Sequence, residues 1–583
     1  MSLVLCIHGI VLSIMIGLLF WGLSRGFELV DEGLALTASQ FPADTLYHSS
    51  MGYFLSLCPD VLGDQVRSLR FFHVLSRLVG SFALPIGIFA WMGCFCKSFQ
   101  ITSQDKLLLV LFSSIGSLLP FAILQQTLSY NGIVLMFLLI ATSLLFAAFT
   151  RSAESKMFSA NIVLAGMFIA LSFPVKFTAS LALLLMSTLI AFSFPSHRKR
   201  YTLNIACGIA LGFGLYFSAI ENAQHWYQVF SSQIAIDLSS SHGPSHLLAN
   251  TGPSLQKHAL ELGLVLISVF LIPFLRRRSK RLFADTRSEL NMIAIGTFVA
   301  LCASLSYGFH QAGYLHTSLI YVSLVPVLFF CGLQLIHLSK NKSLPSYDTL
   351  RFSQCVGFLL LLPFAISFGT DTPLLWNVLC NFTSLYLGIG LLYAYMAARY
   401  KCRGIVTYGL PAVAMTTLAV FVQGYVFYPH NTTPLLEQTE KTTLSPTIAG
   451  LMLDHKTAAY LIDTSQILKK NGFEPGDPVL TLFDAPGLAY ALQARIPGGP
   501  WYRDSQAEIN EALYRISTII PPGKNRFFVV VTNEQNSAYP TPRLMLALKN
   551  RGIDLKSYRL IGVTYHPFLY WGDGRNSYIY ANQ

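Results

Sequence analysis

The chain has 583 residues and a formal net charge of +12, with 53% hydrophobic and only 12% charged residues and a mean hydropathy of +0.52. A soluble globular chain carries about 25% charged residues, so half that density over this length excludes a water-soluble globular protein. The basic excess sits in short loops between apolar runs, which excludes a nucleic-acid-binding face and fits the orientation signal of a membrane protein.

In lipid a helix satisfies its own backbone polar groups, so each apolar run of about 20 residues predicts a span. About thirteen follow in chain order: 3–23, 72–95, 106–124, 132–149, 158–174, 177–195, 202–220, 258–275, 290–309, 314–337, 353–369, 374–397 and 404–428. The first lacks a basic leader and a small-residue cleavage site, so it is expected to be retained as a span. Alternate loops carry Lys97 and Lys106; Arg151 and Lys156; Arg198, Lys199 and Arg200; Arg276, Arg277, Arg278, Lys280 and Arg281; Lys340 and Lys342; Arg399, Lys401 and Arg403. The opposite loops are nearly free of Lys and Arg. The positive-inside rule then places the N-terminus in the cytoplasm and everything after Tyr428 outside. Two outside loops are long, about 24–70 and 221–257, and long loops on one face of a bundle carry function.

These features divide the chain into a transmembrane domain, 1–428, and an extracytoplasmic domain, 429–583. The second alternates helix and strand. Helices are expected at 454–471, 485–493, 505–519 and 542–551, and strands at 478–483, 526–532, 558–565 and 577–581. Such alternation predicts a small α/β sheet. None of the ten Cys follows Cys402, so this domain needs no disulfide framework.

The stretch richest in chemistry is Glu28-Leu-Val-Asp31-Glu32-Gly33, just past the first span at the outer surface. Adjacent carboxylates near the interface are costly to desolvate and mark an ion, a proton path or chemistry. The same loop adds Asp44, Asp60 and Asp64, then Arg67 and Arg70. A carboxylate takes a proton from an acceptor hydroxyl and a cation holds a phosphate leaving group, the two needs of glycosyl transfer from a lipid phosphate. A solvated Asp-Glu pair with no such role is the plain alternative.

With Asp31-Glu32 in the first external loop, the chain resembles the GT-C glycosyltransferases. That superfamily includes the protein mannosyltransferase-like enzymes and the bacterial transferase that adds aminoarabinose to lipid A. The resemblance implies Asp31 as catalytic base, with Glu32 in support. It extends to the aromatic segment Tyr47-His48-Ser49-Ser50-Met51-Gly52-Tyr53-Phe54, although Tyr47-His48-Ser49 stands where the lipid A branch has Glu-Lys-Pro. It includes Leu128-Ser129-Tyr130-Asn131 at the outer end of the fourth span, and the Gly-rich helix Gly166 to Lys176. Tyr47, His48, Tyr53, Tyr130 and Asn131 are therefore the expected pocket residues.

Lys176 follows Pro174 between two apolar runs, where it would grip a phosphate or snorkel to the interface. Arg70 and Arg77 are seven apart and share a helical face. A charge inside the second span, as at Arg77, costs at least about 2.5 kcal/mol, which a phosphate or an acidic partner such as Asp31 would offset. His48, His73, His310 and His316 fall at outer span ends without metal-ligand spacing and are expected to be satisfied interfacial residues. His242-Gly-Pro-Ser-His246 reads as a turn, Asp484-Ala-Pro-Gly487 as a strand-to-helix turn, and Pro497 to Asp504 as an aromatic loop packing on the membrane domain.

The expected activity is transfer of a sugar, hexose or pentose, from a polyprenyl-phosphate donor to a glycolipid, polysaccharide or protein acceptor outside the cytoplasm. The expected setting is a bacterial inner membrane. Asp31 and Glu32 would be catalytic, and Lys176, Arg70 and Arg77 would bind the donor phosphate. Participation of a divalent metal stays open. A lipid-linked-sugar flippase, or a non-catalytic envelope assembly protein, is the alternative.

Overall fold

The computed structural model describes residues 1–43, 50–97, 99–239, 347–368, 378, 381–399, 405–430, 432–483, 485–496, 513, 516, 519, 526–532, 537–567 and 574–582. Within them the N-terminal part is helical. In chain order it contains α1 (Ser2–Gly22), α2 (Asp31–Gln40), α3 (Met51–Ser56), α4 (Gln65–Phe95), α5 (Ser103–Leu118), α6 (Tyr130–Phe149), α7 (Lys156–Ser172), α8 (Phe177–Phe192), α9 (Arg198–Ala219), α10 (Ala223–Ser239), α11 (Tyr347–Ser367), α12 (Phe382–Arg399) and α13 (Leu410–Val422). Among the described residues, seven helices are long and apolar enough to cross a membrane, and three more are shorter but apolar. These coincide with ten of the expected spans. The other three, 258–275, 290–309 and 314–337, lie outside the described residues.

Local chemistry sets these elements. Asp64 caps α4 by accepting the Arg67 N–H at 2.7 Å, and Thr102 with Asp105 forms a capping box on α5. Pro85 lies inside α4. Two residues on, the Ser143 hydroxyl of α6 accepts the Gly87 N–H at 3.0 Å and donates to the Ala83 carbonyl at 2.7 Å. A side chain inserted into the backbone ladder is one of the recognised causes of helix bending. Here it also brings α6 against α4 so closely that a Cβ at Gly87 would overlap the Ser143 backbone. A π-helical turn, Gln423–Phe427, ends the last described apolar helix.

Both long outer loops differ from the sequence expectation, because each contains helix. The first holds α2 and α3, and residues 65–70 already belong to α4. Asp31 and Glu32 open α2, where acidic side chains complement the helix dipole. The second begins with α10, whose Trp226 stacks on Phe230 at 5.0 Å, while Phe230 meets Phe173 and Phe177. Aromatic side chains in that pattern let a segment of mixed polarity lie against span ends.

The C-terminal part is built on a four-stranded sheet of order β3-β4-β6-β5, from β3 (Val479–Leu482), β4 (Phe528–Val531), β5 (Arg559–His566) and β6 (Arg575–Ala581), preceded by a short pair β1 (Glu440–Lys441) and β2 (Met452–Leu453). β3 and β4 are parallel, in register Val479 with Phe528; β6 is antiparallel to β4 and β5. All residues of β3 and β4 are buried, as expected for parallel strands covered on both faces. Val479, Phe528 and Val530 join Leu461 and Leu468 of α14 (His455–Lys470). Leu480, Leu482, Val529 and Val531 pack with Leu544 and Leu548 of α16 (Pro542–Asn550). Between them, α15 (Pro486–Leu492) follows β3 and packs on α2.

That contact fixes the segment between α1 and α4 against the sheet-bearing part. Gly487 N–H donates to the Leu29 carbonyl at 2.8 Å, and Thr37 Oγ1 to the Pro486 carbonyl at 3.1 Å. A Cβ at Gly33 would overlap the Gly487 backbone. Gly26 N–H donates to the Met452 carbonyl at 2.8 Å, and Met452 N–H to the Ser24 carbonyl at 2.7 Å. Phe27, Leu29, Leu488 and Tyr490 share one continuous core with the membrane helices.

Candidate active site

The start of α2 gathers three carboxylates. Its N-cap, Val30, has no side chain able to cap, and Glu28 does so from two residues earlier. Glu28 Oε1 accepts the Val30 N–H at 2.8 Å and Oε2 the Glu32 N–H at 2.5 Å, while Glu32 Oε2 accepts the Glu28 N–H at 3.0 Å. Burial and the neighbouring Asp31 charge push Glu28 up to about 8, against the pull of His430 and these N–H groups.

Glu32 and Arg70 are both 1% exposed. Their pairing is bidentate, Nε to Oε1 at 2.8 Å and Nη2 to Oε2 at 2.7 Å, and Thr127 Oγ1 also donates to Oε1. Burial alone would raise the Glu32 pKa; the Arg70 charge and hydrogen bonds, with those of Thr127 and Glu28, hold it below the ordinary carboxylate value. Arg70 further donates from Nη1 to the carbonyls of Leu23 (2.9 Å) and Arg25 (3.0 Å), and from Nη2 to that of Gly26 (2.9 Å). All its N–H groups are thus taken up by protein acceptors. This corrects the expectation that Arg70 grips a phosphate: it ties the exit of α1 to α4, and Glu32 is its counter-ion.

Asp31 differs from its neighbours. Its carboxylate is 33% exposed, and Oδ2 lies 3.1 Å from His430 Nε2. His430 comes from the segment just beyond the last π turn. Burial disfavours its charged form, but the Asp31 hydrogen bond and the charges of Asp31, Glu28 and Glu32 outweigh burial and raise its pKa above the ordinary imidazole value. A small crevice beside the pair is lined by Glu28, Arg70, Gln126, Tyr425, His430 and Thr432, among others.

A second group sits around α3. Lys176, 8% exposed, opens α8 with Nζ 5.9 Å from the Tyr130 ring centroid. Tyr130 N–H meets Met51 Sδ at 3.1 Å, and Ser50 N–H donates to the Pro174 carbonyl at 3.3 Å. Asn131, half-buried, is the next residue on α6. Tyr53 packs edge-on against His225 at 5.4 Å. Nδ1 of His225 is 2.5 Å from Oε1 of the buried Glu221, and Tyr216 donates to the other Glu221 oxygen. His225 Nε2 reaches the Ala43 carbonyl at 3.3 Å, so this cluster holds the far end of α2. α3 packs on α2 and joins the two groups.

Arg77 lies two turns deeper than Arg70, about 10 Å along α4, and is 1% exposed. Its Nε donates to His73 Nε2 at 3.3 Å, and His73 Nδ1 meets the Gln126 carbonyl at 3.0 Å. Arg77 thus has an imidazole at its Nε, and His73 has a partner at each ring nitrogen. Neither Lys176 nor Arg77 lines the crevice. Tyr47, His48, Asp44 and Asp484, with the His242–His246 turn and the 497–504 loop, lie outside the described residues. Among the described residues no three His, Cys, Asp or Glu side chains cluster as a metal site requires.

Sequence reasoning missed His430, Glu221 and His225. The signal for His430 was its position, three residues past the end of an apolar helix on the side assigned as outer. Glu221 and His225 stand at i, i+4 where α9 gives way to α10, a spacing that places both on one face.

No protein-family model matches the chain, and no curated protein matches it. Among solved structures, ArnT from Cupriavidus metallidurans, in a crystal structure bound to undecaprenyl phosphate, aligns over 98% of this chain and 97% of its own, with a TM-score of 0.44 and 10% identity. The Archaeoglobus fulgidus oligosaccharyltransferase, in a complex with Zn and sulfate, aligns over 97% of this chain and 72% of its own, with a TM-score of 0.46 and 11% identity.

Proposed function

We propose that this protein is a membrane glycosyltransferase that moves a sugar from a polyprenyl phosphate to an acceptor hydroxyl on the extracytoplasmic side of a bacterial inner membrane. The observation that carries the reading is the contrast at the start of α2. Glu28 and Glu32 are buried and committed to backbone and Arg70, whereas Asp31 keeps a part-exposed carboxylate on the same rigid helix turn. A base needs that combination of fixed position and access to substrate. Asp31 takes the acceptor proton as that oxygen bonds to the anomeric carbon. The anomeric C–O bond breaks, and its electron pair leaves with the polyprenyl phosphate. Lys176, buried at the opening of α8, neutralises the departing phosphate as a point charge. Tyr130, whose ring centroid lies 5.9 Å from Lys176 Nζ, shapes the pocket for sugar or acceptor together with Asn131 and Tyr53. Arg70, with its N–H groups engaged by Glu32 and loop carbonyls, takes no part in this step.

The test uses radiolabelled polyprenyl-phosphate pentoses and hexoses with membrane extract as the source of acceptor. Asp31→Asn is expected to abolish label transfer while leaving expression and thermal stability at wild-type levels. Wild-type transfer by that variant would remove Asp31 from the chemistry. Movement of intact donor across liposomes without acceptor would favour a flippase.

A further inference from the structure

We propose that His430 is a positioning residue for Asp31: a hydrogen bond from its Nε2 fixes the carboxylate in one rotamer. This rests on the reading of Asp31 as the base. The pair is separated by 399 residues in sequence and joined at 3.1 Å. His430 follows Pro429, three residues past the π turn that ends α13, so the apolar helix and the fixed proline φ both restrain its backbone from the N-terminal side. Its ring is 18% exposed against 33% for Asp31, so the imidazole backs the carboxylate and leaves the carboxylate the more open of the two.

The charge balance of the cluster points the same way. Among the described residues, the groups around His430 include Asp31, Glu28 and Glu32 at the start of α2, with Arg70 from α4 and Tyr425 from the π turn on the shared crevice wall. Arg70 is taken up by Glu32 and by loop carbonyls. The imidazole is the group that meets Asp31. An Asp at the exposed first turn of a helix has several open rotamers, and a misplacement of about 1 Å at a reacting group costs on the order of a hundredfold in rate.

Two measurements test this. The first follows the ring resonances of 15N-histidine-labelled protein through a pH titration, assigning His430 by its absence in His430→Gln. Asp31→Asn is expected to lower the His430 midpoint by about one pH unit or more. An unchanged midpoint would show that the pair does not form and overturns the proposal. The second is kcat and KM for transfer from the polyprenyl-phosphate sugar that the wild type turns over. His430→Ala is expected to lower kcat/KM about ten- to a hundredfold, mostly in kcat. His430→Gln, which keeps a hydrogen-bond donor, should recover part of the rate. If both His430 variants match the wild type in kcat and KM while Asp31→Asn is dead, the positioning role fails and the base survives. If Asp31→Asn is active, the base reading itself has failed.

Discussion

Replacing Glu32 by Gln changes one atom and isolates the charge that the outer loop is built around. The four hydrogen bonds to Glu32 all come from donors: Nε and Nη2 of Arg70, Oγ1 of Thr127 and the Glu28 N–H. A Gln amide NH2 must therefore face at least one donor, whichever way it is turned. At a charge separation of about 4 Å and an effective dielectric near 20, the lost attraction is about 4 kcal/mol. Breaking one side of a buried pair costs roughly 3–5 kcal/mol, because the remaining charge is stranded. Arg70 cannot escape to water, being 1% exposed and pinned to the carbonyls of Leu23, Arg25 and Gly26. The thermal-unfolding midpoint in detergent should fall well below that of the wild type. A double variant, Glu32→Leu with Arg70→Met, should be less destabilised than Glu32→Leu alone, since no buried charge remains. A Glu32→Gln protein as stable as the wild type, or a double variant at least as unstable as the sum of its parts, would refute the assignment of this pair as the clamp of the loop.

Stability should also fall as pH rises. The folded pKa of Glu28 is raised from 4.5 to about 8 and that of His430 is raised from 6.5. In both cases the folded state binds the proton more tightly, so stability is full below the unfolded pKa and is lost as pH passes through the folded one. The buried His566, lowered from 6.5 to about 3, acts in the opposite sense only below about pH 7, so unfolding midpoints measured from pH 7 to 9 should decline, and His430→Gln should flatten the decline; a rise across that window would contradict both shifts. Gly33→Ala should loosen the contact between α2 and α15, because its Cβ would meet the Gly487 backbone; limited proteolysis should then cut between 429 and 455 more readily than in the wild type, and equal resistance would argue against close docking. Glu221→Leu leaves Tyr216 and His225 without their shared acceptor and should destabilise by about 1–3 kcal/mol, with His225→Gln milder because it keeps a side-chain donor; no change in unfolding would show that the cluster does not hold the end of α2.

The apolar helices were legible in the sequence because lipid enforces a local rule: a run such as 132–149 must be helical wherever it packs. The sheet was legible for a similar reason, since Phe528–Val531 is an unbroken apolar run and Val479–Leu482 is broken only by Thr481, the pattern that parallel strands require. The acidic stretch was visible as composition, but the division of labour within it was not. Glu28, Asp31 and Glu32 differ through their partners: two backbone N–H groups, an imidazole 399 residues away and a guanidinium 38 residues away. Arg70 looked like a phosphate ligand because convergence of the 23–26 carbonyls on one side chain is a product of tertiary folding. The helix α10 was hidden by its mixed polarity, its Trp226 and Phe230 finding apolar neighbours only once Phe173, Phe177 and Phe217 are in place.

The central claim concerns what happens at residue 31 when donor and acceptor meet. Purified protein in nanodiscs, given a polyprenyl-phosphate sugar and membrane acceptor, should liberate one polyprenyl phosphate for each sugar that appears on the acceptor, and the Asn variant at 31 should liberate none. Equal release by that variant, or a wild type that leaves the donor intact, would contradict the account.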